Sequence, residues 1–145
     1  MSLSKLLGDA NKKDNLVAEL TKLIDTQVAS MGGMSGLALK GGYSAIKGIS
    51  PNYISEVLER LLPLAIVVID PLWSEGVNSG DVVSYFSDNK SCVADSLLGI
   101  TDVRIQQSNN TTVKVVYGKM RNSAKKHVED AVPGLAKAIL KVQEQ

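Results

Sequence analysis

The sequence predicts an all-α fold: a single helical domain over residues 1–145, built as a bundle of about five to seven helices with a kink or break at Pro63. Three observations lead there. Apolar residues recur at helical spacing over most of the chain. Helix starts and stops are spelled out by Gly32-Gly33, Ser50-Pro51 and Pro133. No second run of alternating or β-branched residues offers itself as the partner strand of a sheet. A length of 145 residues suits one domain, and a chain of that size buries roughly 68% of the surface its unfolded form exposes.

The clearest helix covers residues 14–31. Leu16, Val17, Leu20, Leu23, Ile24, Val28 and Met31 fall on one arc, and Glu19, Lys22, Asp25 and Thr26 fall opposite. Asn11 or Asp14 can cap it, and Gly32-Gly33 stops it. A second helix runs from Ser35 to about Gly48. Gly36, Ala38, Gly41, Gly42, Ser44, Ala45 and Gly48 leave much of its surface bare. Each interior glycine costs about 1 kcal/mol against alanine, so close approach by another helix, within the fold or across a dimer, must offset it.

Ser50-Pro51 opens the next helix, which continues through Ile54, Val57, Leu58, Leu61 and Leu62 to Pro63. Leu64–Ile69 is apolar on every side, and periodicity does not separate a buried helix from a buried strand there. Helix is preferred for want of a partner strand. Asp70-Pro71 ends that run or starts a new turn, and Glu75–Asp81 reads as a loop. Short helices follow at about Asp81–Phe86 and Asn89–Gly99, and Thr101-Asp102 can cap a further piece. After a polar junction at Ser108–Thr112, a long helix carries Val113, Val116, Tyr117, Met120, Ala124, Val128 and Ala131 inward. Pro133 opens a terminal helix.

The counts exclude several kinds of chemistry. One cysteine, Cys92, and one histidine, His127, leave no intramolecular disulfide and no Cys/His zinc site. No metal site and no cofactor is expected. Gly36 and Gly41 have the spacing of a phosphate loop, but Gly42-Tyr43 stands where Lys-Ser/Thr is needed. Met1–Lys13 lacks the apolar stretch of a secretory signal, and the longest apolar run, Leu61–Ile69, is far short of the ~20 residues that span a bilayer. A soluble, cytoplasmic protein without membrane association is expected.

The formal net charge of +1 conceals a segregation. Arg104, Lys114, Lys119, Arg121, Lys125 and Lys126 lie in a stretch, Val103–Val128, that contains no acid. Such a helix favours a small anionic ligand or an acidic protein partner, and Lys119, Arg121, Lys125 and Lys126 are the candidate binding residues. The alternative is that this flank pairs with acids such as Glu56, Glu59 or Asp102 on neighbouring helices. Lys40 and Lys47 share a face and could add to an anion site, but solvation suits them better. Nucleic acid is not expected as a partner, because aromatic interleaving is absent.

His127 sits at the edge of the apolar stripe, with Ser123 one turn before it. Catalysis would need a nucleophile or carboxylate brought to it by the fold, so a structural histidine is the preferred reading. Cys92 falls in the first turn of its helix, where a thiol can be activated, but a small core residue is preferred.

Two segments, Lys40-Gly-Gly-Tyr-Ser-Ala-Ile-Lys-Gly-Ile-Ser-Pro51 and Lys119-Met-Arg-Asn-Ser-Ala-Lys-Lys-His-Val-Glu-Asp-Ala-Val-Pro133, resemble a family of small bacterial proteins with no assigned activity. Pro63, Pro71-Leu-Trp73 and Thr101-Asp-Val-Arg104 are similar in kind and order. The resemblance implies an all-helical bacterial cytoplasmic protein and brings no catalytic residues.

Three functions remain. The first is a non-enzymatic binding or interaction module that uses the basic helix for an anion. The second is a small enzyme on a phosphorylated or carboxylated metabolite, with His127 as base and Arg121 as anion clamp. The third is a structural homo-oligomer, at its simplest a homodimer. The reading leans away from an enzyme.

Overall fold

A computed structural model of the chain describes residues 3–30, 32–49 and 52–144, the side chains of Ser4, Met34, Ser35, Ala38 and Asn122 excepted. The fold is all-helical, and no strand occurs among the described residues. The helices of the described residues are α1 (Ser4–Leu7), α2 (Ala10–Ser30), α3 (Gly33–Lys47), α4 (Tyr53–Asn78), α5 (Val82–Asp88), α6 (Lys90–Gln106) and α7 (Thr111–Gln143). Seven helices lie among the described residues. The opening turn α1 has no counterpart among the helices expected from the sequence. Leu3, just before it, and Leu6 within it are buried, and Leu3 N donates to Asp70 Oδ1 of α4 at 2.9 Å.

Local signals set several boundaries. Asp9, rather than Asn11 or Asp14, caps α2: its Oδ1 accepts from Asn11 N at 3.0 Å and Lys12 N at 3.2 Å. Asp81 caps α5 by accepting from Ser84 N, and Asn110 caps α7 by accepting from Val113 N. The polar junction before α7 is therefore where the sequence puts it. The expected Ser50-Pro51 start lies outside the described residues, and α4 is helical from Tyr53.

The prolines are the main correction. Of the kink or break expected at Pro63, the break does not occur: α4 is one helix of 26 residues that contains Pro63 and Pro71. Leu64–Ile69 is helix. The expected loop at Glu75–Asp81 shrinks to Ser79–Asp81. In the same way α7 runs through Pro133, and α6 runs through Gly99, Thr101 and Asp102. An interior proline costs about 3 kcal/mol, partly because the carbonyl four residues earlier loses its donor. That carbonyl belongs to exposed Glu59 for Pro63 and to Val67, 69% exposed, for Pro71. Both lie where water can reach. The same helix buries Leu62, Ile66, Ile69 and Trp73, each contributing roughly 1.5–3 kcal/mol. Burial outweighs the local penalty, and a reading that weighs each proline alone puts a break where none forms.

One core cluster joins α1, α2, α4, α5, α6 and α7. Its widest side chains are Trp73 and Phe86, both with no exposed surface, meeting edge to face with ring centroids 5.4 Å apart. α7 packs against α2, α3, α5 and α6 and is the spine of the molecule. The close approach expected of the glycine-rich helix occurs within the fold: a Cβ on Gly42 would lie 2.7 Å from Met120 Sδ and 3.0 Å from Val116 Cγ1 of α7. Lys47 is less solvated than expected. It lies over the Tyr43 ring and pairs at 3.2 Å with Asp25 of α2, which also accepts from Tyr43 OH at 2.5 Å. Leu64, Val67 and Val68 form an exposed apolar strip on the outside of α4.

Candidate functional site

The basic helix is real, but its charges have different fates. Arg121 reaches from α7 to Asp102 on α6 with two bonds, Nε to Oδ1 at 2.8 Å and Nη2 to Oδ2 at 3.1 Å. A planar guanidinium matched to a carboxylate in this way is a strong charge-assisted pair. Tyr117 OH donates to the same Oδ1 at 2.5 Å. Since Tyr117 gives its proton to the carboxylate, Thr101 donates in the 2.8 Å contact with the phenol oxygen, and it shares that proton with the Leu98 carbonyl at 2.9 Å. The Arg121 pair, and then the phenol, hold the Asp102 carboxyl below the usual range. Burial, and then the Asp102 bond, push the Tyr117 phenol up.

Lys125 pairs with Asp95, also on α6, at 3.1 Å. Lys119 and Lys126 are exposed, and among the described residues neither makes an ion pair. Two of the four candidate anion-binding residues are thus committed to carboxylates of the neighbouring helix. Asp102 is among the partners the sequence suggests, whereas Asp95 is not.

His127 is half-buried and helps line a hollow rather than a polar site. Among the described residues it has no hydrogen-bonding partner, and no group of three or more His, Cys, Asp or Glu could hold a metal ion. Cys92 is exposed, which overturns its expected place in the core. α6 turns Val93, Ala94 and Leu98 inward, and the thiol falls on the outer face.

The hollow is the feature that sequence patterns do not reveal. Between α2, α4, α6 and α7, with Leu39 from α3, lies a cavity of about 340 Å³. Its floor is buried: Leu16, Leu20, Leu62, Ile66, Leu98 and Ile139. Its rim is half-buried and includes Ala65, Ala124, Val128 and Ala131. Gln27, Thr101 and His127 are the polar residues of the lining, and no Phe, Tyr or Trp takes part. Every one of these aliphatic residues fits an inward stripe, so the pattern marks them as core. A signal is present all the same. Aromatics make up only 4% of the chain, and alanines sit at three positions where α4 and α7 face the interior.

A second cleft, of about 420 Å³, adjoins the first, with Leu61 and Thr101 lining both. Its character differs. Arg60, Arg104, Tyr53, Tyr117, Gln107, Ser108 and Asn109 line it together with aliphatic residues of α3, α4, α6 and α7. Among the described residues, neither Arg60 nor Arg104 pairs with a carboxylate. The arrangement offers an aliphatic chamber and a cationic one, side by side.

No helix among the described residues is long and apolar enough to cross a membrane. No curated protein and no solved structure matches the chain. A family model does match, over residues 3–143. That covers both motif segments and the helices that build the two chambers: the chain belongs to the DUF6918 family, a family of unknown function.

Proposed function

We propose that the chain is a non-enzymatic binding module, and that its binding site is the aliphatic cavity between α2, α4, α6 and α7. The observation that carries this reading is the cavity itself: about 340 Å³ walled almost wholly by Leu, Ile, Val and Ala side chains. Protein interiors are packed to crystal-like density, and side chains facing a void lose contact partners. A ligand of apolar character restores those contacts and removes its own surface from water. Binding pockets of small molecules start at roughly 300 Å³, so the hollow is of usable size.

The basic helix supports a smaller role than its charge count suggests. Arg121 and Lys125 hold α6 against α7, so of the four candidate residues only Lys119 and Lys126 make no ion pair among the described residues. Nothing beside His127 supports its use as a base, because no nucleophile or carboxylate meets it among the described residues.

The test is calorimetric titration with dodecan-1-ol, a neutral apolar probe, together with its effect on the melting temperature. A ligand that binds only the folded chain raises that temperature by mass action. The double variant A65L/A131L fills the rim and is expected to remain folded while losing the binding. Absence of binding to the unmodified chain, or undiminished binding to the filled variant, overturns the reading.

A further inference from the structure

The two chambers together specify more than an apolar guest. Building on the proposed apolar cavity site, we infer that the ligand is a single-chain anionic amphiphile of about a dozen carbons, its chain in the aliphatic cavity and its oxyanion head at Arg60 and Arg104. The chain length follows from volume. A cavity of ~150 Å³ takes up benzene, so about 340 Å³ accommodates roughly twice that number of carbons. No Lys or Arg lines the aliphatic chamber, whose polar residues are Gln27, Thr101 and His127. A fully charged headgroup is better compensated beside the guanidinium groups of the neighbouring cleft.

The adjoining cleft provides for one. Leu61 and Thr101 line both spaces and form the wall that a chain reaching from the first into the second would cross. Thr101 has its hydroxyl engaged by the Leu98 carbonyl and Tyr117, which leaves its methyl as the surface to cross. In the cleft, Arg60 from α4 and Arg104 from α6 face the same volume with no Asp or Glu among the described lining residues. The contrast with Arg121 is direct: that guanidinium is saturated by Asp102. Two unpaired guanidinium forks suit a carboxylate or a phosphate, which they can grip with paired N–H donors.

Titration of the full chain with dodecanoate, dodecyl phosphate and dodecan-1-ol, each below its micelle concentration, tests this. One or both anions are expected to bind at least about tenfold tighter than the alcohol, and the tighter of the two names the headgroup. The variant R60Q/R104Q, altered only at exposed positions, is expected to erase that advantage and leave the alcohol unchanged. K119Q/K126Q is expected to leave all three unchanged. Equal binding of all three probes, or an anion advantage that survives R60Q/R104Q, overturns the headgroup assignment while the cavity reading stands. An anion advantage lost in K119Q/K126Q places the head on α7 and overturns it too. If neither the alcohol nor the anions bind, the cavity reading itself fails and takes this one with it.

Discussion

Along α4 the core is filled in two different ways. From Trp73 to Gly76 it is closed: an indole and a phenyl ring meet edge to face, Leu3 and Leu6 pack close by, and Val82 sits hard against a glycine. From Leu58 to Ile69 it is hollow: aliphatic side chains of similar hydrophobicity line a space they do not fill. The two stretches share a helix, an apolar stripe and one contiguous cluster. What separates them is shape. Aromatic rings and a bare backbone interlock at one end, whereas alanines and flexible Leu and Met leave volume at the other. Apolar pattern decides that a face turns inward, and side-chain volume decides whether anything is left for a guest.

The sharpest way to break this contrast is Trp73→Ala. It removes the largest fully buried side chain, and a loss of about 3–5 kcal/mol is expected in denaturant unfolding. Gly76→Ala probes the same end from the backbone. Its Cβ would lie 2.7 Å from Val82 Cγ2 and 3.2 Å from Tyr85 Cδ1, so a loss of about 1–3 kcal/mol is expected by the same measurement. The hollow stretch should respond with the opposite sign. Ala131→Leu adds volume where there is room and is expected to stabilise the chain by about 0.5–2 kcal/mol. If Ala131→Leu destabilises as Gly76→Ala does, the two stretches are packed alike and the contrast is lost.

A smaller effect sharpens the boundary of the hollow. Asp102 has its carboxyl held below its ordinary 3.8, chiefly by Arg121. The folded chain therefore binds that proton less readily than the unfolded chain. The resulting stability is present above the ordinary value and is lost as pH falls through the lowered one. Asp102→Asn is expected to lower stability at neutral pH and to flatten the decline below about pH 4. Tyr117 has the reverse sign. Its phenol is raised above 10.0, so its contribution is present below that value and fades as pH rises through the folded one; Tyr117→Phe should flatten the alkaline limb. The smallest change is expected from Lys119→Ala and Lys126→Ala, within about 0.5 kcal/mol of the parent.

The sequence carries the helical class, the inward stripe of α7 and the junction before it, because periodicity and polar caps are local signals. It misleads at Pro63, Pro71 and Pro133, because whether a helix survives a proline depends on burial in the rest of that helix. It points Cys92 to the core, because residue type alone does not say which face of α6 is inward. Among the functional candidates, Lys119, Arg121, Lys125 and Lys126 are visible as a charge run, but their separate fates depend on Asp95 and Asp102 lying across from α7. The cavity does not show in the hydrophobic pattern, and for a deeper reason. A filled core and a hollow one have the same hydrophobic pattern, and the difference lies in three-dimensional volume that no spacing rule reports. Arg60 and Arg104 lie 44 positions apart in the sequence, and only the packing of α4 on α6 brings them to one cleft.

The outer strip of α4, with Leu64, Val67 and Val68 open to solvent, has a colloidal consequence. The chain has an isoelectric point near 7.8 and a net charge of +1 at neutral pH. Mutual repulsion between molecules is therefore weak under the conditions in which the apolar strip is available for contact. Solubility should pass through its minimum near the isoelectric point, just above neutrality, and recover on either side of it, so stocks for the titrations are best concentrated well away from that pH.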